Sequence, residues 1–82
     1  MSKYDPLRDY LRRRTGEVRC TFDQVSDLVP DGLPPSAYRY EAWWANSDRT
    51  HPQSRSWGDA GFTAHPDLAR GLVRFVPKEG LL

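Results

Sequence analysis

The richest set of side chains able to make specific polar contacts lies in one short segment, residues 46–57. Arg pairs with guanine edges, Asn and Gln pair with adenine edges, and Ser and Thr reach phosphates. A helix that opens at Pro52 would also point free backbone N–H groups at an anion. The segment therefore predicts contacts with DNA; a solvated loop in front of a capped helix is the alternative. The predicted contact residues are Asn46, Arg49, His51, Gln53 and Arg55.

A second group of basic side chains lies near the N-terminus. Residues 1–20 carry more Lys and Arg than Asp and Glu, and the run Arg12–Arg14 is the densest part. From this run we predict phosphate contacts by Arg12 and Arg13, because Arg offers a planar fork that suits phosphate. An ordinary solvated helix face is the alternative.

All three tryptophans, Trp43, Trp44 and Trp57, lie close together in the chain. They predict either a hydrophobic core or a platform on which bases stack. If Trp43 and Trp44 belong to a strand, their side chains point to opposite faces, so one is buried and the other covers a second surface. Which of the two is exposed stays open, and Trp44 is counted among the candidate nucleic-acid contacts.

The sequence does not indicate an enzyme. The His, Asp and Cys side chains show no metal-ligand spacing, no glycine-rich phosphate loop is present, and we expect no metal and no cofactor. A nuclease built on Asp48 and His51 remains an alternative. Cys20 has no paired His to activate it, so we expect a small core residue on a short strand.

The sequence contains signals for four short helices. Asp5 and Pro6 begin a helix over about 6–14, with Leu7, Tyr10 and Leu11 as its buried stripe. A Thr-x-x-Gln capping box at residues 21–24 begins the second helix. A helical turn over about 35–39 and a helix that starts at Pro52 and ends at Gly61 complete the set.

Strand signals alternate with the helices. Residues 17–21, 62–65 and 72–76 show strand patterns, and the aromatic density of residues 40–45 favours a fourth strand. The interspersed order predicts an α+β fold, with a three- or four-stranded, mostly antiparallel sheet packed on one face by two or three short helices. We expect one domain over residues 1–82, with an ordered core at about 4–77.

Length and composition exclude several classes of protein. The chain has 82 residues, a net charge of +1, 38% hydrophobic residues and a single cysteine, which excludes an internal disulfide framework. No apolar run approaches the roughly 18 residues of a membrane span. Residues 1–14 are charged and lack the apolar region of a signal peptide. We therefore expect a cytoplasmic protein that does not bind membranes.

Several motifs together resemble a family of small uncharacterised bacterial domains. The motifs are Leu33-Pro34-x-Ser36-Ala37, Tyr40-x-x-Trp43-Trp44-x-Asn46, His51-x-Gln53-x-x-x-Trp57, Gly61-Phe62 and Val73-x-Phe75. The resemblance spans roughly residues 4–76. It implies a shared fold and a shared surface, and it implies no activity.

Two functions remain as hypotheses. The first is a small DNA-binding protein, a regulator or an accessory factor of a defence or mobile-element system, with DNA favoured over RNA as its partner. The second is a protein-interaction module, antitoxin-like or inhibitor-like, that uses exposed aromatic residues as anchors. The net charge of +1 is low for the first hypothesis.

Overall fold

The computed structural model of the chain describes residues 2–47 and 50–78. It contains four α-helices, one 3₁₀ helix and three strands within those residues. In chain order they are α1 (Asp5–Arg12), β1 (Val18–Thr21), α2 (Phe22–Leu28), α3 (Pro35–Arg39), the 3₁₀ helix (Glu41–Trp44), α4 (Pro52–Asp59), β2 (Phe62–Asp67) and β3 (Leu72–Pro77). No helix in the described part of the chain is both long enough and apolar enough to cross a membrane.

The helices begin where local chemistry predicts. Pro6, Pro35 and Pro52 occupy first-turn positions, where the missing N–H costs nothing. The capping box at the start of α2 is confirmed, with Gln24 N donating to Thr21 Oγ1 and Thr21 N donating to Gln24 Oε1. Helix α1 starts one residue earlier than predicted and ends two residues earlier, at Arg12.

The predicted strand over residues 40–45 is wrong. Glu41–Trp44 form a 3₁₀ helix instead, which follows α3 after the extended residue Tyr40. The reason is tertiary: in this turn Trp44 is buried and its indole N–H donates to Ala37 O at 2.8 Å. A strand would direct Trp43 and Trp44 to opposite faces, whereas here both rings pack at the core.

The three strands form one antiparallel sheet with the order β1-β3-β2. Side chains alternate between its two faces. The inner face packs against the helices and carries Val18, Cys20, Phe62, Ala64, Val73 and Phe75. The fold is therefore α+β, as predicted, with a three-stranded sheet.

We call the opposite side of the sheet the sheet face. The side chains of its residues point away from the core and are partly or fully exposed. They are Arg19, Thr21, Thr63, His65, Asp67, Leu72, Arg74 and Val76. The acidic side chains of α2 lie on the other side of the sheet, because α2 packs on the inner face through Phe22 and Val25.

Side chains bind part of each edge of the sheet. On β2 the Asn46 amide pairs with the backbone of Ala64, since Nδ2 donates to Ala64 O at 2.9 Å and Ala64 N donates to Oδ1 at 2.7 Å. On β1 the outward N–H of Thr21 is bound by Gln24. Unpaired strand edges recruit other chains, and these contacts occupy some of the groups that would do so.

A stack of aromatic rings forms the centre of the core. Phe22 stacks on Trp44 at a centroid distance of 5.0 Å, and Trp44 stacks on Trp57 at 5.6 Å, each with an interplanar angle of 20°. Phe75 of β3 continues the cluster at 5.8 Å from Trp57. Leu7 and Leu11 of α1 belong to the same core. The stack thus joins α2, the 3₁₀ helix, α4 and the sheet.

Replacing Trp57 by Ala tests this core. Trp57 is 1% exposed, so Trp57→Ala should lower the free energy of unfolding by about 3–5 kcal/mol. A small domain has a total stability of about 5–15 kcal/mol, so urea unfolding followed by circular dichroism should show a large shift. Tyr40→Ala is the control, because Tyr40 is 60% exposed. Equal midpoints for Trp57→Ala and the unmodified protein would contradict this packing.

Candidate functional site

The Asn46 amide is a structural connector. Besides its pairing with Ala64, its Oδ1 accepts a hydrogen bond from the Trp57 indole N–H at 3.0 Å. One side chain thereby fixes the end of the 3₁₀ helix to both α4 and β2. Asn46 was predicted to read an adenine edge, but here its Oδ1 already accepts two hydrogen bonds, and one of its two amide N–H groups donates a third, within the protein.

The polar residues of α4 also face inward. Gln53 is 8% exposed and its amide donates to Trp43 O at 3.3 Å. Ser54 Oγ donates to Ala45 O at 2.7 Å, and Ser56 Oγ donates to Gln53 O at 2.7 Å. These contacts satisfy backbone carbonyls of the 3₁₀ helix and of α4. The structure therefore places Gln53, and also the buried Trp44, away from the surface.

Three predicted contact residues of this segment are exposed, Asn46, His51 and Arg55. Arg55 lines a groove of about 570 Å³ between α1 and α4, whose other lining residues are Ser2, Asp5, Arg8, Pro52, Ser56 and Asp59. The groove holds two guanidinium groups and two carboxylates, and Arg8 lies 3.4 Å from Asp5. Its charges balance, which is unfavourable for binding a polyanion. Arg49 and Asp48 lie outside the described residues.

The predicted phosphate contacts Arg12 and Arg13 are both exposed, at the last residue and the C-cap of α1. Neither forms an ion pair with any residue in the ranges 2–47 and 50–78. Arg14 instead lies over the ring of Tyr10, with the guanidinium carbon 4.5 Å from the centroid. The end of α1 therefore offers two unpaired guanidinium groups.

The sheet face brings together basic residues that the sequence interpretation did not select. Arg19 of β1 and Arg74 of β3 are direct cross-strand partners, and His65 of β2 is the partner of Arg74 on the other side. These three side chains form one row across the sheet. A groove of about 280 Å³ runs beside them, and Arg70 and Asp67 also line it.

Glu17 links the two central arginines. Its Oε2 lies 3.2 Å from Arg19 Nε and its Oε1 lies 3.4 Å from Arg74 Nη1. The hydrogen bond from Arg19, together with that from Arg74, lowers the pKa of the Glu17 carboxyl. Glu17 is therefore ionised at neutral pH and offsets part of the positive charge of the pair. At the far end of the strands, Arg70 Nε lies 3.8 Å from the carboxylate of Asp67.

The alternation in Val18-Arg19-Cys20 and in Val73-Arg74-Phe75 is the signal that could have identified this row. Each pattern places an arginine opposite an apolar face. What the patterns omit is the pairing of β1 with β3, which joins residues far apart in the chain.

Cys20 and the His, Asp and Glu side chains are the groups that could carry nucleophilic or metal chemistry. Cys20 is buried, as predicted, and burial raises the pKa of its thiol. Within residues 2–47 and 50–78, no three side chains of His, Cys, Asp or Glu come together in a way that could hold a metal ion.

Replacing Asn46 tests its connecting role. Asn46→Ala leaves the Trp57 indole N–H and both backbone groups of Ala64 without their partners, and should cost about 1–3 kcal/mol of unfolding free energy. Hydrogen exchange at the Ala64 amide should speed up by more than exchange at other β2 amides. Ser47→Ala is the matched control at the neighbouring exposed position. Unchanged stability and unchanged Ala64 exchange would show that the amide has no structural role.

Labelling of Cys20 tests its burial. A thiol reagent at neutral pH should react slowly with the folded protein, because the thiol is inaccessible and its raised pKa keeps it protonated. The labelling rate should rise steeply as urea unfolds the chain. Rapid labelling without urea would contradict the inward position of Cys20 on β1.

Comparison with known proteins gives one match. The family model of DUF7662, a domain of unknown function, matches residues 4–76. Searches of curated proteins and of solved structures give no match. The matched range includes all the helices and nearly all of the sheet described above, so the chain belongs to the DUF7662 family.

Proposed function

We propose that this domain binds DNA, through the sheet face together with the exposed end of α1. The observation that supports the proposal is the cross-strand pair of Arg19 and Arg74, which lies on the side of the sheet opposite the core. Guanidinium groups bind phosphates and base edges in bidentate fashion. Arg70, at the end of the strands, adds a third exposed guanidinium.

The distribution of charge favours this surface over the groove between α1 and α4. That groove balances two guanidinium groups with two carboxylates. On the sheet side, Arg19, Arg70 and Arg74 outnumber Glu17 and Asp67, and the unpaired Arg12 and Arg13 lie only a few residues before β1. Binding of a polyanion depends on such a local excess of positive charge.

The low net charge of the chain is compatible with this proposal because part of the acidic charge lies away from the sheet face. Asp23 and Asp27 are exposed on α2, which packs on the inner face of the sheet. The proposal also places the protein in the cytoplasm of a bacterial cell, where DNA is accessible to it.

A salt titration tests the proposal. Binding of a labelled 20-base-pair duplex of mixed sequence should be measured by fluorescence anisotropy between 50 and 200 mM salt, where affinity should fall linearly on a logarithmic plot. Arg12→Ala and Arg13→Ala should each reduce the slope by about 0.9, the contribution of one phosphate contact. Circular dichroism should confirm that both variants are folded.

Arg55→Ala is the comparison variant, because it removes the same charge from the other groove. We expect it to leave the salt slope unchanged. A reduced slope for Arg55→Ala with no effect of Arg12→Ala would move the binding surface to the groove between α1 and α4. Absence of any binding tighter than about 10⁻⁴ M at low salt would overturn the proposal, since non-specific DNA binders still associate there.

A protein-interaction role is the second candidate, and one observation favours it. Tyr38 is 41% exposed and Tyr40 is 60% exposed, at the end of α3 and directly after it. Tyrosine is enriched among residues that dominate protein interfaces. An interface at these rings would respond little to salt, so the same titration separates it from DNA binding.

A further inference from the structure

Three features of the sheet face go beyond a general affinity for DNA. They are the direct opposition of Arg19 and Arg74, the position of Glu17 between them, and the presence of Arg70 at one end of the strands. Each feature bears on whether the surface touches phosphates or base edges.

The spacing of the central pair follows from the hydrogen-bond pattern. Phe22 N donates to Gly71 O at 2.7 Å, so alternate residues of β1 bond to β3 and Arg19 and Arg74 form a non-hydrogen-bonded pair. Their Cα atoms are therefore about 4.5 Å apart. Successive bases of one DNA strand are about 3.4 Å apart, so two neighbouring bases are within reach of the two guanidinium groups.

The dimensions of the row fit the major groove. The row from Arg19 through Arg74 to His65 crosses two interstrand spacings, which is about 10 Å. The major groove of B-form DNA is about 12 Å wide, and sheets are known to read DNA from it. The minor groove, at about 6 Å, is too narrow for this row.

Glu17 favours base edges over phosphates as the target of the pair. A carboxylate within 3.4 Å of both guanidinium groups repels a phosphate at the same place. A G·C pair instead presents acceptors on guanine O6 and N7 and a donor on cytosine N4. Arg donates to the guanine acceptors and Glu accepts from the cytosine amino group, so the mixed charge matches a G·C edge.

A cation at one end of the strands is placed to bind the backbone. Arg70 lies in the turn between β2 and β3, and its side chain is 77% exposed. The two walls of the major groove are phosphate backbones, which a guanidinium group beside the central pair would contact.

We infer that the sheet face enters the major groove of double-stranded DNA and reads G·C pairs, with Arg19 and Arg74 on the edges of two neighbouring guanines. Arg70 contacts a phosphate beside them. This inference rests on the proposed DNA binding and specifies its groove and its bases.

Duplexes that contain 7-deazaguanine test the inference directly. This base lacks the N7 acceptor of the major groove but leaves the phosphates and the Watson–Crick pairing intact. A randomised pool of 16-base-pair G·C duplexes should bind the full chain at least about fivefold more weakly after the substitution, the lower end expected for losing one bidentate contact. RNA duplexes of the same sequences should bind weakly, because their deep, narrow major groove is closed to side chains.

Variants that preserve charge provide a second test of the inference. Arg19→Lys and Arg74→Lys keep the positive charge but lose the bidentate fork, so they should retain the salt slope and lose the preference for G·C over A·T duplexes. Arg39→Lys on α3 is the matched control, exposed and outside the sheet face, and should behave like the unmodified protein.

The outcomes separate this inference from the proposed function. Salt-dependent DNA binding with the same affinity for duplexes that contain 7-deazaguanine would overturn the major-groove assignment and leave DNA binding in place. Equal affinity for RNA and DNA duplexes would do the same. Unchanged base preference in both lysine variants would also overturn it. Failure to bind any duplex at low salt would overturn DNA binding itself.

Discussion

The amide of Asn46 is the interaction on which the arrangement of the domain depends. Its three hydrogen bonds join the edge strand β2 to the indole of Trp57, and Trp57 stacks on Trp44. The aromatic stack and the sheet are therefore fixed relative to each other by one polar side chain. A polar connector of this kind specifies geometry more than an apolar contact would, because hydrogen bonds require defined directions.

The polar residues have different roles on the two sides of the molecule. On the helical side, the polar residues of α4 are used to satisfy backbone carbonyls, so Gln53, Ser54 and Ser56 hold the core together. On the other side, the strands leave Arg19 and Arg74 exposed with one carboxylate between them. A small domain has a small interior, and here one face of the sheet completes the core while the residues of the other face are partly or fully exposed.

The features that the sequence predicted correctly are local ones. The capping box at Thr21, the helices that start at Pro35 and Pro52, and the strands β1, β2 and β3 depend on residues a few positions apart. The strand assigned to Trp43 and Trp44 failed because the indole of Trp44 finds its partner at Ala37. Asn46 and Gln53 were interpreted as base-reading groups because the same side-chain amide can bind either a protein backbone or an adenine edge. The residue type alone does not distinguish these two roles. The pair of Arg19 and Arg74 was missed because only the long-range register of β1 on β3 brings them together.

The strand order has a consequence for the synthesis of the protein. The central strand, β3, follows every other helix and strand described here, and β1 and β2 are not neighbours without it. While the ribosome has yet to translate residues 72–77, the emerging chain holds two strands that have no partner in the sheet. Val73 and Phe75, the part of the core that β3 supplies, are likewise missing until then. A message truncated anywhere before Leu72 therefore yields a chain that cannot assemble any part of the sheet, however much of the aromatic core it encodes.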